Sequence, residues 1–458
     1  MIKNKIFHKA VNFLMVSVLS ALALGGPVTV QAYPDPGTIA YVRPNQADGD
    51  EIHLIEPDKS GDRKIFSTGK PLSQYLKAIE RIDWKPDASE LAFTSSHEEA
   101  CSVYQTDIFT IRPDGSNYRR ITNPPACASR AGLPTGTVKV PVTNNLSVNG
   151  PFTFYFQGAP GPIEMALAPG ASMTLTFNNV LDFGNQDQYA VWMYGDERAP
   201  YSGAQVDVKA GTTVQAGILQ MYTGFTHFGY AWAEYLPDGS KILSIQQESW
   251  LLQVSSTNQV PGELGDQVSF DMTLGADHLA WGPTAQRSNQ FLFRGWTYDS
   301  SYISRNPIML GDISNTKAQM LVDVDPTQIG RWLLGLTWLP DGSGFLYSLT
   351  ELVGYDFRAN IWEYSFATQQ SKRVTNVPYG FVREITVSPD GQRLLFELQP
   401  YGHWLDQNPA IDLWMANRDG SGMTEFLSGA RSPAWSPVAV PGPVVLDHFI
   451  YLPAVIKP

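Results

Sequence analysis

Aromatic and polar residues gather in the long segments between the predicted strands, and their side chains are those that ligand binding requires. Aromatic rings supply rigid contact area, and neighbouring charged or polar groups supply directional hydrogen bonds. Loops on a rigid scaffold are also where binding residues concentrate. The predicted ligand-binding residues are Tyr298, Asp299, Tyr355, Asp356, Arg358, Tyr401, His403, Trp404 and Asp406. The alternative is that these rings pack against one another or against a neighbouring domain.

Catalytic and metal-binding motifs are not found in the sequence. It contains no G-x-S-x-G nucleophile elbow and no H-E-x-x-H zinc motif, and its 7 His are scattered. The run His97-Glu98-Glu99 could meet His403 at a metal across a central opening, but solvated loop side chains are the simpler interpretation. The run Asp48–Glu51 resembles a calcium loop only weakly. We therefore predict no catalytic residue, no metal and no cofactor.

The chain has 2 Cys, Cys101 and Cys127, which allow one intramolecular pairing. Export makes a disulfide possible, and both residues lie in connections expected at the same face of the fold. We predict that they form a disulfide, with two free thiols as the alternative. Two cysteines cannot supply a zinc site built from four Cys or His ligands without further help.

One motif recurs along the chain, an apolar strand that ends in aromatic-x-Pro-Asp-Gly. Proline fixes φ for the turn, and Asp and Gly adopt the conformations that reverse the strand. Copies recur about every 50 residues, and each full copy opens a unit of four strands, as in a β-propeller blade. The copies lie at 82–87, 235–239, 338–342 and 387–391, with degenerate ones at 281–283 and 435–437.

The two ends of the repeat region complement each other. Segments 37–42 and 51–55 match the second and third strands of a blade that has no first strand. Segment 433–436 matches the first strand of a blade, and no further strands of that blade follow it. Inserting the C-terminal strand beside the N-terminal ones closes the ring and removes free sheet edges. The predicted fold is all-β, a six-bladed β-propeller closed by a C-terminal strand.

The repeats, with strands such as Ile108–Ser116 and Leu413–Ser421, resemble the TolB-like six-bladed β-propeller, the WD40-like beta-propeller repeat family. The resemblance covers about residues 37–125 and 225–437. It implies a propeller fold in a family that includes protein-interaction propellers and propellers attached to serine peptidases. TolB carries an α/β domain before its propeller, and we expect that domain to be lacking here. The TolA and Pal partnership is therefore not carried over.

Residues 131–222 interrupt the repeats between blades two and three. About seven short alternating segments separated by turns predict an inserted small β-sandwich. An elaborated loop without its own core is the alternative. The tail after Pro437 is either a surface-sorting signal or a strand packed on the propeller. The predicted divisions are a signal peptide at 1–32, blades one and two at 33–130, the insert at 131–222, blades three to six with the closing strand at 223–437, and the tail at 438–458.

The N-terminus has the pattern of a secretory signal peptide. Lys3, Lys5 and Lys9 precede an apolar run at 10–24, and small residues follow near Ala32. An uncleaved anchor is the alternative, and we expect no membrane span in the mature chain. The protein is expected outside the cytoplasm, in the periplasm, at the cell surface or in the medium. A net charge of −12 repels phosphate backbones, which disfavours nucleic acid as a partner.

Chain direction sorts the connections of a propeller onto two faces. The Pro-Asp-Gly turns belong to one face, which we call the turn face. Five long, irregular loops and the insert belong to the other, the long-loop face. These loops are expected at 44–50, 95–106, 295–307, 351–359 and 399–409.

The sequence predicts a non-enzymatic binding or scaffold protein that recognises a protein, peptide or glycan through its long-loop face and insert. The alternative is a secreted propeller hydrolase or lyase acting on polysaccharide or peptide. Carboxylates or His converging at the channel mouth with shifted pKa values would favour the enzyme. An aromatic patch without such groups would favour the binding protein.

Overall fold

The computed structural model of the protein describes residues 37–69, 79–98, 106–122, 131–184, 187–194, 197–198, 204–221, 230–246, 251–256, 275–298, 304–314, 317–324, 332–353, 356–377, 380–399 and 411–437. Their regular secondary structure is almost entirely β-strand, with one short 3-10 helix at Ala285–Arg287. Within them, no helix is long and apolar enough to cross a bilayer.

In chain order, the strands are β1 (Ile39–Asn45), β2 (Gly49–Ile55), β3 (Arg63–Ser67), β4 (Ile79–Trp84), β5 (Leu91–Ser95), β6 (Asp107–Ile111), β7 (Arg119–Arg120), β8 (Thr135–Asn144), β9 (Phe152–Phe156), β10 (Ile163–Met165), β11 (Ser172–Leu181), β12 (Asp187–Tyr194), β13 (Glu197–Arg198), β14 (Gln205–Asp207), β15 (Thr213–Gln215), β16 (Leu219–Met221), β17 (Tyr230–Tyr235), β18 (Lys241–Gln246), β19 (Leu251–Ser256), β20 (Gly275–Trp281), β21 (Gln290–Tyr298), β22 (Ser304–Arg305), β23 (Ile308–Asp312), β24 (Lys317–Val322), β25 (Trp332–Trp338), β26 (Gly344–Val353), β27 (Asp356–Ser365), β28 (Gln370–Arg373), β29 (Phe381–Val387), β30 (Arg393–Gln399), β31 (Asp412–Asn417), β32 (Thr424–Leu427) and β33 (Arg431–Trp435).

Six antiparallel sheets are built on the recurrent motif. Sheet 1 has the order β3-β2-β1-β33, and sheet 2 has β4-β5-β6-β7. Sheet 3 contains β17-β18-β19, and sheet 4 contains β20-β21-β23-β24 with β22 beside β21. Sheets 5 and 6 have the orders β25-β26-β27-β28 and β29-β30-β31-β32. The chain thus forms multiple four-stranded sheets, as the repeat predicts.

The Pro-Asp-Gly turns are held by the residue types that the motif supplies. In the turn after β25, the Asp341 carboxylate accepts hydrogen bonds from the amide and hydroxyl of Ser343, at 3.0 and 2.7 Å. Gly342 has φ +69°, a left-handed conformation that glycine adopts without a Cβ penalty. The hydrogen bonds from Ser343 also hold the pKa of Asp341 below its usual value.

The innermost strands of successive sheets contact one another in the order β4, β17, β20, β25, β29 and β33, and β33 contacts β4. Apolar clusters fill the spaces between sheets. One of them joins Ala92 and Ile108 of sheet 2 to Tyr235 and Ile242 of sheet 3. Burial of these clusters is what holds one sheet against the next.

The last strand of the ring comes from the C-terminal part of the chain. Strand β33 pairs antiparallel with β1, with Ile39 opposite Trp435, as the complementary half-units predict. The Trp435 Nε1 donates to the carbonyl of Gly37 at 2.6 Å. Arg431 is buried, forms an ion pair with the buried Asp50, and donates to the carbonyl of Ile79. The closing strand is therefore bonded to the rest of sheet 1 and to the neighbouring sheet 2.

Strands β8 to β16 form two further sheets. One contains β11-β8-β15 with β16 beside β8, and the other contains β10-β9-β12-β13 with β14 beside β12. Their shared core is rich in aromatic residues, including Phe152, Phe154, Phe177 and Trp192. Strands β15 and β16 run parallel to β8, so the first of these sheets is mixed.

Three segments expected as irregular loops are hairpins. Strands β26 and β27 pair without interruption from Gly344 opposite Ser365 to Val353 opposite Asp356. Strands β1 and β2 likewise pair up to Asn45 opposite Gly49, and β21 continues into a pair with β22. The expectation of irregular loops was wrong here because cross-strand pairing continues into polar residues beyond the apolar core of each sheet.

Candidate functional site

Each innermost strand carries a register shift in the middle of its length. Such bulges locally re-aim side chains and are frequent beside functional sites. The shifts lie at or next to the residue five positions before the motif proline. In sheet order from sheet 2, these residues are Arg81, Trp232, His278, Gly335, Glu384 and Ser432. Four of them, Trp232, His278, Gly335 and Ser432, have positive φ.

The residues three positions before the motif proline face the same central channel. They are Asp83, Glu234, Ala280, Thr337, Thr386 and Ala434, and all of them line one cavity of about 340 Å³. Arg81, Glu384 and Ser432 from the bulged positions line it too. The cavity is therefore built from the innermost strands of all six sheets.

Charged side chains converge inside this cavity, and we call Arg81, Asp83, Glu234 and Glu384 the channel cluster. Arg81 Nη2 lies 2.5 Å from Glu234 Oε1, and Arg81 Nη1 lies 3.4 Å from Glu384 Oε2. His278 Nε2 lies 3.4 Å from the other oxygen of Glu384. Asp83 accepts a hydrogen bond from the amide of Tyr235 at 2.7 Å.

Two carboxyl groups of the channel cluster have raised pKa values. Burial raises the pKa of Glu234 to about 8, and the nearby charges of Asp83 and Glu384 add to this while Arg81 opposes it. Burial also raises the pKa of Asp83 to about 6, against the hydrogen bond from Tyr235 and the charge of Arg81. Carboxyl groups that lie in a cleft and have shifted pKa values are typical of functional sites.

Aromatic residues line the cavity toward the turn face. Trp281, Trp338 and Trp435 stand beside the motif prolines Pro283, Pro340 and Pro437 along its wall. Each indole N–H donates to a backbone carbonyl, at 2.9, 2.7 and 2.6 Å respectively. The rings are nearly buried and belong to the apolar clusters between sheets, where Trp281 stacks on Phe291 and Trp338 on Phe366. Their role at this wall is packing.

The long-loop face carries a smaller described apolar patch. Trp332 at the start of β25 is 41% exposed, and Leu352 near the end of β26 is 42% exposed. Both lie where sheet 5 reaches the long-loop face. Exposed large apolar side chains that lie close together mark interaction sites more often than isolated ones do.

The structure places three of the predicted site residues on strands. Tyr298 ends β21 in sheet 4, while Asp356 and Arg358 begin β27 in the adjacent sheet 5. Arg358 forms a backbone bridge to Gly380 at the edge of sheet 6. The other predicted residues lie outside the described residues, as do both cysteines: Asp299, Tyr355, Tyr401, His403, Trp404, Asp406, Cys101 and Cys127.

His97 and Glu98 are buried in sheet 2 rather than solvated as expected. The ring of His97 packs on Phe109 with centroids 4.5 Å apart, and its Nε2 lies 2.9 Å from the Tyr118 hydroxyl. That hydroxyl donates to Glu98 at 2.9 Å. These side chains are thus part of an intrasheet network. In the described part of the chain, no group of three or more His, Cys, Asp or Glu is placed to hold a metal.

The run 48–51, with its weak likeness to a calcium loop, is engaged in structural contacts. Asp50 is fully buried and pairs with Arg431, and its carboxylate also accepts the amide of Ile79 at 2.8 Å. Glu51 pairs with Lys64 at 2.9 Å. These contacts account for the carboxylates of Asp50 and Glu51.

The fold defined by these sheets, with a channel along their innermost strands, is that of a β-propeller protein. No protein-family model matches the chain, and no curated protein is similar to it in sequence. Among solved structures, it is similar to TolB from Acinetobacter baumannii, with 14% identity, 87% of this chain and 66% of that chain covered, and a TM-score of 0.38.

Two other solved structures are similar at the same level. Putative TolB from Agrobacterium tumefaciens has 11% identity, with 88% of this chain and 94% of that chain covered and a TM-score of 0.44. The β-propeller domain of the Trilobed protease from Pyrococcus furiosus has 9% identity, with 86% and 82% covered and a TM-score of 0.39. The likeness concerns the fold alone.

Proposed function

We propose that this chain is an exported, non-enzymatic binding or scaffold protein of the TolB-like propeller type. In this proposal sheets 1 to 6 are the six blades, β33 closes the ring, and β8 to β16 are a small β-sandwich inserted between blades two and three. The protein recognises a protein, peptide or glycan through the long-loop face and the insert. The contacts between innermost strands and the separate aromatic core of β8 to β16 support this division.

The exposure of Trp332 and Leu352 at the long-loop end of sheet 5 is the observation that carries the proposal. The hairpin of β26 and β27 extends beyond them and brings Arg358 to the same end. By register, Arg358 lies on the opposite face of the sheet from Trp332 and Leu352, so the indole of Trp332 is the candidate anchor. The predicted residues Tyr298 and Asp356 lie on strands that reach the same face.

A glycan and peptide array probed with the mature protein tests the proposal. Once a ligand is found, Trp332→Ala, Tyr401→Ala and Trp404→Ala are each expected to weaken binding by more than about 1 kcal/mol, because interface aromatics bury large areas. Asp238→Ala and Asp341→Ala, in turns on the opposite face, should lower stability and leave affinity nearly unchanged. The reverse pattern would show that the binding face has been assigned to the wrong end.

A hydrolase or lyase is the second candidate, because the channel cluster combines carboxyl groups with different proton affinities. Burial raises the pKa of Glu234 above its usual value, which favours the protonated form that a general acid needs. Pairs of carboxyl groups whose environments separate their pKa values often divide acid and base roles. Cleavage of an array ligand by the wild type, lost in Glu234→Gln, would favour this candidate over the binding protein.

Export and the disulfide are linked parts of the proposal. An oxidising compartment allows Cys101 and Cys127 to pair, and the bond would brace the root of the insert. Protein collected from the medium or periplasm is expected to resist thiol labelling until it is unfolded and reduced. Labelling of both cysteines in unfolded but unreduced protein would show that the disulfide is absent.

A further inference from the structure

Strand β11 forms one edge of the sheet β11-β8-β15, and its outer side pairs with no strand among the described residues. It spans 10 residues, and the side chains of Ser172, Thr174 and Thr176 along it are exposed. A free sheet edge presents a row of unpaired N–H and C=O groups to any strand that approaches it. An edge of this length is therefore a template for pairing with another chain.

The composition of β11 differs from that of the other outer strands. Its sequence, SMTLTFNNVL, contains neither a charged residue nor a proline. The outermost strands of sheets 1, 2, 4, 5 and 6 are β3, β7, β24, β28 and β32, and each contains Lys, Arg or Glu and is shorter than β11. The last described strand of sheet 3, β19, is uncharged but has only 6 residues. Charge and short length protect an edge against association, and β11 has neither.

Alternate residues of β11 direct their backbone groups to the free edge. The amide of Asn144 donates to the carbonyl of Ala171 at 3.0 Å, so the hydrogen bonds between β8 and β11 begin at this pair. In an antiparallel pair, hydrogen-bonded residues alternate with residues whose N–H and C=O point the other way. The residues that point away from β8 are Ser172, Thr174 and Thr176. The register agrees, because Thr174 lies opposite Pro141, which has no N–H to donate.

The regular part of this edge is centred on Thr174. A turn precedes it at 168–171, and the register with β8 shifts after Phe177. If a second copy of β11 lies antiparallel with Thr174 opposite the same residue, Ser172 of each copy lies opposite Thr176 of the other. The free N–H and C=O groups of all these residues then find partners. Their hydroxyl side chains share one face, where Thr and Ser pairs across strands are favourable.

We propose that β11 is a dimerisation surface, at which two copies of this chain join their sheets antiparallel about a two-fold axis at Thr174. The lack of charge favours a second copy as the occupant, because a charged residue near the axis would face its own like charge. A foreign peptide sets no such requirement. Two strand edges bury little surface, so the dimer is weak and depends on concentration. This inference goes beyond the binding role proposed above and does not depend on it.

Sedimentation equilibrium of the mature protein, from low to high micromolar concentration, tests the proposal. The wild type is expected to shift reversibly from monomer to dimer. Thr174→Lys and Thr174→Asp should each weaken the dimer at least about tenfold, because like charges then face each other at the axis. Thr213→Lys places the same charge on the exposed strand β15 of this sheet, is the matched control, and should dimerise as the wild type does.

A mixture of the Thr174→Lys and Thr174→Asp variants tests the two-fold register itself. Position 174 of one copy faces position 174 of the other only in this register, so opposite charges should restore dimers in the mixture. Circular dichroism of each variant verifies that its fold is retained. Dimers that Thr174→Lys does not weaken, or a mixture of folded variants that remains monomeric, would overturn the proposal.

Hydrogen exchange provides a measurement on the wild type alone. Backbone amides at a free edge exchange quickly, whereas amides paired between two strands are protected. Exchange in the segment 172–176 is therefore expected to slow as the protein concentration rises. Slow exchange at every concentration would show that another part of the same chain covers the edge. Fast exchange at every concentration would show that the edge stays free, and either result would overturn the proposal.

Discussion

Replacing Arg431 with methionine is expected to lower the free energy of unfolding by about 3 to 5 kcal/mol, because it leaves a buried charge without its partner. Arg431 is 4% exposed and its guanidinium pairs with Asp50, which is fully buried. The same side chain donates to the carbonyl of Ile79 in sheet 2. Urea unfolding of the two proteins, followed by tryptophan fluorescence, measures the difference.

A surface pair supplies the control for this substitution. Arg43 pairs with Asp62 at 3.2 Å, but both side chains are about one-third exposed, so Arg43→Met should cost less than about 1 kcal/mol. Adding Asp50→Asn to Arg431→Met removes the uncompensated charge and should recover much of the lost stability. A loss below about 1 kcal/mol for Arg431→Met would mean that closure of the ring does not depend on this pair.

Gly335→Ala is expected to lower the free energy of unfolding by at least about 3 kcal/mol. Single substitutions cause losses of this size when they introduce severe steric overlap or backbone strain. Gly335 has φ +31° at the bulge of β25, and a Cβ there would stand 1.8 Å from the carbonyl oxygen of Arg383. The obstructing atom is backbone of the neighbouring strand β29. It can move only if sheets 5 and 6 separate.

Gly391→Ala is the matched control for crowding. Gly391 also has positive φ, +72°, but a Cβ there meets nothing within 4 Å. Only the conformational penalty applies, which is about 1 to 2 kcal/mol. Thermal and urea unfolding of both variants distinguish the two effects, and equal losses would show that the approach of β25 to β29 is looser than the structure indicates.

The sheets are predictable from the sequence because the repeated motif marks where each innermost strand ends. The turn at Asp341 and Gly342 follows from local residue preferences alone. The pairing of β33 with β1 followed from counting strands, since a free edge at each end of the ring would be unfavourable. These inferences need only local patterns and a rule about sheet edges.

The channel cluster was missed because its members are far apart in sequence and do not form a local motif. Arg81, Glu234 and Glu384 come from three different copies of the repeat. Aligning the copies on the motif proline would have revealed the signal, since charged residues stand three or five positions before it. The aromatic residue two positions before the proline is more conspicuous in the sequence, but its side chain packs in the clusters between sheets.

The hairpins at the long-loop face were missed for a different reason. Residues such as Glu351 and Arg358 are polar and look like loop residues in sequence, yet they pair directly across β26 and β27. Backbone pairing can continue beyond the apolar core when cross-strand side chains support it. A polar composition therefore does not by itself predict irregular structure.

Closure of the ring by β33 also constrains the order in which the chain can fold. The hydrogen bond from Trp435 to Gly37 joins residues 398 positions apart, so the first sheet lacks its innermost strand until residues 431–435 have been synthesised. Contacts of such long sequence separation slow folding. Under the export proposed above, this delay is an advantage, because a polypeptide that has not closed its ring can still be threaded through a translocation pore.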